Sequence, residues 1–165
     1  MTQRMDLSTV MDQLSIDALI TGYAMAVDDG EWVGYRALFT ADGRADYRGA
    51  GGVEGPAAEV AQWLAETMRL FPVRQHLIVN RRLDIQDLEG CPGDRAEVRA
   101  DYLNPMRLEG AAGGEDGSGV RATAPNFVSG GRYAFTLSRT GSGWRIRTVT
   151  VHEKWRGTAG SPIPA

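Results

Sequence analysis

The chain has 165 residues, of which 42% are hydrophobic, and it carries a formal net charge of −3 with both signs interspersed. This length suits a single domain, residues 1–165, with enough apolar content for a core and a modest pocket. The weak, mixed charge excludes the one-signed field that attracts nucleic acid or a membrane surface, so the expected partner is a hydrophobic small molecule.

One cysteine, Cys91, is present, which excludes an intrachain disulfide and any multi-thiolate metal site. The sequence has neither a signal-peptide pattern near its start nor an apolar run of about 18 residues, the length that spans a membrane. We therefore expect a cytoplasmic protein with no membrane partner.

The first predicted element is an amphipathic helix over residues 14–27, in which apolar side chains recur at intervals of three and four. Gly30 is a natural C-terminal cap for this helix. The same spacing predicts a second, shorter helix over residues 32–39. A turn at residues 41–43 then leads into a strand that includes Ala45 and Tyr47.

A third helix is expected to open at Pro56 and to end near Pro72, after which the sequence is typical of a sheet. The predicted strands lie within residues 76–80, 95–103, 126–137 and 144–151. Three N-terminal helices packed on a strongly curved, mostly antiparallel sheet define an α+β domain. Such a cone-shaped barrel would enclose a pocket between the helices and the sheet.

Three segments fall outside this pattern: the start of the chain over about residues 1–10, residues 109–124 and the tail over about residues 157–165. The segment 109–124 is rich in glycine and has no periodicity. It is long for a connection between two strands. We expect the two ends to be flexible, and this segment to be a disordered loop or a mobile lid.

His76 is one of only two histidines. Strand alternation places it on one face with Ile78 and Asn80. Imidazole exchanges protons near neutral pH more readily than other side chains, which makes His76 the natural candidate for a general base. The alternative is a half-buried strand histidine bonded to a backbone carbonyl.

Asp28 is expected at the C-terminal end of the first helix, where the helix dipole disfavours a carboxylate. On a helical wheel it lies at the flank of the apolar stripe that faces the core. A compensating partner is therefore expected, although a solvated acidic helix end is the alternative.

Four tyrosines are candidates for substrate binding: Tyr23, Tyr47, Tyr102 and Tyr133. A buried tyrosine hydroxyl needs a partner, so several that point inward indicate a wet or ligand-filled cavity. Each of them, taken singly, can also be a core residue whose hydroxyl reaches the rim.

Metal and cofactor chemistry find no support in the sequence. A zinc or iron site would need two histidines and a carboxylate, but His152 is out of phase with Val149 and Val151 on the last predicted strand. No dinucleotide-binding, P-loop or GxSxG motif occurs. We expect neither a metal nor a cofactor.

A resemblance to the SnoaL-like branch of the nuclear transport factor 2-like superfamily covers nearly the whole chain. It is carried by five segments in this order: YAMAVDDGEW, LFTADGRADYRG, GVEGPAAEVAQWL, QHLIVN and GGRYAFTLSRTGSGWRI. The superfamily includes scytalone dehydratase and hexachlorocyclohexane dehydrochlorinase, cofactor-free lyases that use an Asp-His pair in a cone-shaped pocket.

The resemblance implies roles for individual residues. Asp28 matches the catalytic aspartate of that branch, His76 the catalytic histidine, and Tyr47 a tyrosine that helps to bind substrate oxygen. Tyr23 and Tyr133 match pocket-lining positions. This sequence departs from the two lyases at two positions. The neighbourhood of Tyr102 and Asn104 takes the place of the dehydratase's second histidine, and Val149 takes the place of the dehydrochlorinase's arginine.

The resemblance implies a lyase, a dehydratase, in which His76 is the base and Asp28 orients it, acting on a hydrophobic cyclic or polyketide-like molecule. An isomerase or cyclase of secondary metabolism could use the same pair, and a non-catalytic ligand carrier or scaffold is a third hypothesis. The resemblance also implies a homo-oligomer, a dimer or trimer, formed through the outer face of the sheet near Leu77 and Val79.

Overall fold

The computed structural model describes residues 7–86, 90–109 and 123–158. Its helices are α1 (Leu7–Asp29), α2 (Trp32–Ala37) and α3 (Ala57–Thr67). Its strands are β1 (Phe39–Asp46), β2 (Glu54–Pro56), β3 (Val73–Arg74), β4 (Leu77–Gln86), β5 (Arg95–Arg107), β6 (Phe127–Thr140) and β7 (Gly143–Thr158). Most of the glycine-rich segment 109–124 lies outside the described residues, so its behaviour as a lid or disordered loop stays a prediction.

Helix α1 begins at Leu7, earlier than the apolar periodicity indicates. Its added turns are fixed by Asp12, whose carboxylate accepts hydrogen bonds from the guanidinium of Arg139 at 2.6 and 2.8 Å. The indole of Trp144 donates a third bond to the same carboxylate, at 3.0 Å. Contacts from distant strands thus extend the helix over a stretch that its own sequence leaves undecided.

The predicted cap at Gly30 is confirmed. Gly30 has a φ of 71°, and its N–H donates to the carbonyl of Val27 at 3.4 Å, while the N–H of Glu31 donates to the carbonyl of Ala26 at 2.8 Å. These two bonds form a Schellman motif, which satisfies carbonyls that the helix end would otherwise leave unpaired. The motif fixes the point at which α1 stops, at Asp29, one residue after Asp28.

Replacing Gly30 by alanine is expected to lower the free energy of unfolding by about 1–2 kcal/mol, because an L-residue is strained at positive φ. The new Cβ would also lie 3.1 Å from Nη2 of Arg74 and displace that guanidinium. Urea unfolding measures the change. The matched control is Gly34→Ala within α2, whose Cβ meets only ordinary contacts and which is expected to be neutral or stabilising. Equal effects of the two substitutions would contradict the argument.

Helix α2 is shorter than predicted, because it ends at Ala37 and Phe39 already belongs to β1. The N–H of Ile146 donates to the carbonyl of Leu38, and Phe39 pairs with Ile146 in β7. Pairing with this distant strand therefore overrides the helical spacing. Helix α3 begins as predicted, with Pro56 as its N-cap.

The strands form one sheet in the order β2-β1-β7-β6-β5-β3, and β4 also pairs with β5. The pairs β4–β5, β5–β6 and β6–β7 are antiparallel, as the predicted meander requires, and β1 joins β7 in parallel. This curved, unclosed sheet covers the three helices, so the predicted α+β fold is confirmed. The core lies between the two layers, where side chains such as Ile20, Leu64, Phe135 and Ile146 are at most 2% exposed.

The outer face of β4 and β5 carries the exposed apolar residues Leu77, Val79 and Leu103. The predicted homo-oligomer would use this face, and its formation stays a prediction. No helix in the described ranges is both long enough and apolar enough to cross a membrane.

Candidate active site

A cavity of about 280 Å³ opens between α3 and the concave face of the sheet. Its walls combine apolar side chains with a small set of polar ones, which is the usual composition of a small-molecule site. The polar and aromatic residues that line it are Tyr47, Trp63, Thr67, Phe71, His76, Tyr102, Asn104, Phe127, Ser129, Tyr133, Glu153 and Arg156. Trp63 and Met68 form part of the wall and leave the cavity open.

Asp28 and His76, 48 residues apart in sequence, meet at this cavity. Oδ1 of Asp28 lies 2.5 Å from Nδ1 of His76, and Oδ2 accepts the backbone N–H of His76 at 2.8 Å. The carboxylate therefore binds both the ring and the main chain of the histidine. With the Nδ1 proton directed at Asp28, the lone pair of Nε2 is free to accept a proton.

The two members of the pair differ in their surroundings. The His76 side chain is only 7% exposed and lines the cavity, whereas Asp28 is 19% exposed and borders a groove on the outside of the molecule. The His76 ring thus lies at the cavity wall, and Asp28 binds it from the side away from the cavity. His76 precedes β4 directly, and the N–H that it donates to Asp28 helps to fix where that strand begins.

Arg74 ties the end of α1 to the segment that carries His76. Its Nε donates to the carbonyls of Val27 and Asp28 at 3.1 and 2.9 Å, and its Nη1 donates to the carbonyls of Met68 and Phe71 at 2.9 and 3.2 Å. A cation at a helix C-terminus offsets the negative end of the dipole, which would otherwise disfavour the Asp28 carboxylate. The sequence analysis did not identify Arg74, although its position two residues before His76 was a usable signal.

The hydroxyls of three tyrosines cluster beside the cavity. Tyr47 lines it, and its hydroxyl is hydrogen-bonded to that of Tyr23 and lies 3.5 Å from that of Tyr35. Tyr23 is fully buried and is not among the residues that line the cavity, so it contacts the site through Tyr47. Tyr102 and Tyr133 line the cavity directly, with their ring centroids 4.7 Å apart.

Desolvation by burial raises the pKa of all five tyrosines in the chain above the usual value. Their hydroxyls are therefore protonated at neutral pH and can donate hydrogen bonds. Tyr47 and Tyr133 both line the cavity wall, but the hydroxyl of Tyr47 is already hydrogen-bonded to that of Tyr23, so Tyr133 is the candidate donor to a ligand.

The raised tyrosine pKa values predict a loss of stability in alkali. A folded-state pKa above the unfolded value of about 10 means that the folded protein keeps a proton that the unfolded chain releases. Stability is therefore complete below pH 10 and falls as the pH rises above it, by about 1.4 kcal/mol per pH unit for each buried tyrosine. In Tyr35→Phe the free energy of unfolding should fall less steeply with pH, by about 1.4 kcal/mol per pH unit, as measured by urea unfolding between pH 10 and 11. The same slope in the variant and the wild type would contradict this prediction.

A second polar group lies in the cavity wall. Arg156 Nε donates to Glu153 Oε1 at 2.6 Å, and Ser129 Oγ donates to Glu153 Oε2 at 2.9 Å. The hydroxyl of Tyr102 lies 3.3 Å from Ser129 Oγ. Sequence reasoning gave no role to Ser129, Glu153 or Arg156, and Glu153 and Arg156 lie beyond the strand predicted over residues 144–151.

Asn104 is 5% exposed, and its Oδ1 has no hydrogen-bond partner among the described residues. It lies on the inward face of β5, where alternate residues from Ala96 to Met106 are buried. A polar residue in the inward phase of a strand is a signal that the sequence alone provides.

Two other polar residues lie away from the cavity. Asn80 was expected on the inward face with His76, but this is wrong: a bulge between Val79 and Arg82 gives Asn80 a φ of 51° and turns it outward, where it donates to Asp101. His152 is exposed on β7.

No group of three or more metal-binding side chains occurs in the ranges that the structure describes.

Comparison with solved structures shows that other proteins share this fold. Hexachlorocyclohexane dehydrochlorinase LinA-type3 from Novosphingobium barchaimii superposes with a TM-score of 0.73 at 14% identity, covering 98% of this chain and 100% of that one. A protein proposed to be a scytalone dehydratase from Novosphingobium aromaticivorans superposes with a TM-score of 0.68 at 14% identity, covering 95% and 98%.

The chain belongs to the SnoaL-like domain family, whose model matches residues 8–150. An uncharacterised relative, Rv2910c of Mycobacterium tuberculosis, is 30% identical over 142 residues, which cover 86% of this chain and 85% of that protein. The predicted family is thereby confirmed.

Proposed function

We propose that the protein is a cofactor-free lyase, a dehydratase, in which His76 removes a proton from carbon and Asp28 orients it. The observation that carries this proposal is the hydrogen bond from His76 to Asp28, 2.5 Å long, on a ring that lines a cavity of about 280 Å³. Asp28 stabilises the imidazolium that forms and keeps Nε2 unprotonated before the reaction.

The reaction would be an elimination from a β-hydroxy ketone. Nε2 of His76 takes the proton from the carbon between the two functional groups, and the electron pair moves onto the carbonyl oxygen. The protonated hydroxyl of Tyr133 donates a hydrogen bond to that oxygen and stabilises its charge. The enolate then re-forms the carbonyl, the C–O bond breaks, and the imidazolium returns its proton to the departing hydroxide, which leaves as water.

The solved relatives support an elimination. One is named a dehydrochlorinase and another is described as a scytalone dehydratase, and both names denote loss of a small molecule from the substrate. An isomerase or cyclase would use the same proton abstraction but would lose no water. A non-catalytic carrier would need neither the hydrogen-bonded pair nor its position at an open cavity.

Incubation with 3,6-dihydroxy-1-tetralone tests the proposal. A dehydratase is expected to convert this bicyclic β-hydroxy ketone into 1,6-dihydroxynaphthalene and water, and mass spectrometry detects the loss of one water. The exposed-histidine variant His152→Ala should form the product as the wild type does, and His76→Ala should not. A product of unchanged mass would favour the isomerase, and equal conversion by His76→Ala would contradict the assignment of the base.

A further inference from the structure

The direction of the hydrogen bonds in the second polar group can be deduced by counting protons. Glu153 is an acceptor, because its carboxylate forms an ion pair with Arg156 at 2.6 Å. Ser129 has a single hydroxyl proton, and it donates that proton to Glu153. Its contact with Tyr102 must therefore run the other way, with the hydroxyl of Tyr102 donating to Ser129 Oγ.

This direction determines what Tyr102 can offer a ligand. A phenol has one proton, and that of Tyr102 is already used for Ser129. Burial also raises the pKa of Tyr102, so its hydroxyl keeps the proton at neutral pH. With its proton used in this way, the oxygen of Tyr102 is free to accept a hydrogen bond from a molecule in the cavity.

Asn104 provides a second acceptor two residues further along β5. Its amide interacts with the hydroxyl of Tyr133, while Oδ1 is buried and has no partner in the described part of the chain. Buried polar atoms of folded proteins are nearly always hydrogen-bonded, so an orphaned acceptor in a cavity wall indicates a ligand that donates to it.

Both acceptors lie close to the catalytic pair. Leu77 pairs with Leu103, so the ladder places Asn104 across from His76 on the neighbouring strand. Tyr102 lies opposite Ile78 in the same ladder and faces the same cavity. With the lone pair of His76 Nε2, this part of the wall presents three hydrogen-bond acceptors.

We propose that the cavity selects a ring compound with at least two hydroxyl groups, one donating to Asn104 Oδ1 and the other to the oxygen of Tyr102. This inference rests on the proposed function in one respect, because it takes this cavity as the site where the substrate binds. It narrows the substrate class from hydrophobic cyclic molecules to polyhydroxylated ones. A halogenated or fully etherified ring would leave both buried acceptors without partners, and the site should reject it.

The test compares 1,6-dihydroxynaphthalene with 1,6-dimethoxynaphthalene, which have the same ring but differ in their ability to donate hydrogen bonds. Isothermal titration calorimetry with the wild-type protein should show that the diol binds at least about 10-fold more tightly than the ether. Equal affinities, tighter binding of the ether, or no binding of either compound would overturn the proposal. This comparison needs no variant and so does not depend on the folding of one.

Two variants then test the residues. Asn104→Leu and Tyr102→Phe should each weaken binding of the diol by about 10-fold and leave binding of the ether unchanged or improved. Gln62→Leu, at an exposed amide on α3, is the matched control and should leave both affinities unchanged. Unchanged binding of the diol by both cavity variants, with thermal unfolding showing that they are folded, would overturn the assignment.

The same titration with His76→Ala separates this inference from the proposed function. The preference for the diol should persist in that variant, because neither Asn104 nor Tyr102 depends on the base for its acceptor atom. Loss of catalysis with the preference intact supports both proposals. Catalysis that survives in His76→Ala contradicts the dehydratase mechanism, whereas equal binding of diol and ether contradicts only the choice of substrate class.

Discussion

His76→Ala is expected to lower the rate of ring opening of 5-nitrobenzisoxazole by about 10²- to 10⁴-fold, the usual contribution of a positioned general base. This probe requires only removal of the proton on its ring carbon, after which the N–O bond breaks to give a coloured nitrophenolate. It therefore reports on the base itself, whatever the natural substrate is. The absorbance of the product gives kcat/KM directly.

The chain contains its own control, because its other histidine, His152, is exposed on β7. His152→Ala should retain the wild-type rate, and equal losses from both variants would contradict the assignment. Asp28→Asn offers a second check. An amide N–H directed at Nδ1 favours the tautomer that carries its proton on Nε2, so this variant should also lose most of the base catalysis while keeping the histidine.

Arg139→Met is expected to lower the free energy of unfolding by about 2–3 kcal/mol, the effect of removing one partner from a largely buried ion pair. Arg139 binds Asp12 through two bonds and Asp94 through Nε at 3.0 Å, and its guanidinium lies 4.5 Å from the ring centroid of Trp144. The Asp94 side chain is only 5% exposed. The substitution keeps most of the apolar stem but leaves both carboxylates without this cation.

Calorimetry should show a decrease in the midpoint of thermal unfolding of roughly 5–10 °C for Arg139→Met. The matched control is Arg147→Met, since Arg147 and Asp42 form an exposed pair at 3.5 Å. Exposed pairs contribute little, so the control should keep the wild-type midpoint. Similar midpoints for the two variants would show that the cluster around Arg139 does not hold α1 to the sheet.

The sequence by itself determined the elements whose signals are local. Apolar spacing and a glycine that tolerates positive φ defined α1 and its end, and alternation defined β5, β6 and β7. The order of these elements, with the resemblance that they carry, was enough for the α+β architecture and the family. The two candidates for the catalytic pair were also visible, but each had an ordinary structural alternative.

Tertiary structure alone decided which of these side chains meet. Asp28 and His76 are 48 residues apart, and Arg139 and Asp12 are 127 apart, distances over which sequence periodicity carries no information. The bulge that turns Asn80 outward depends on how β4 pairs with β5. Register and packing set the direction of a side chain, which is why the acceptor role of Tyr102 became evident only through its bond to Ser129 and the bond of Ser129 to Glu153.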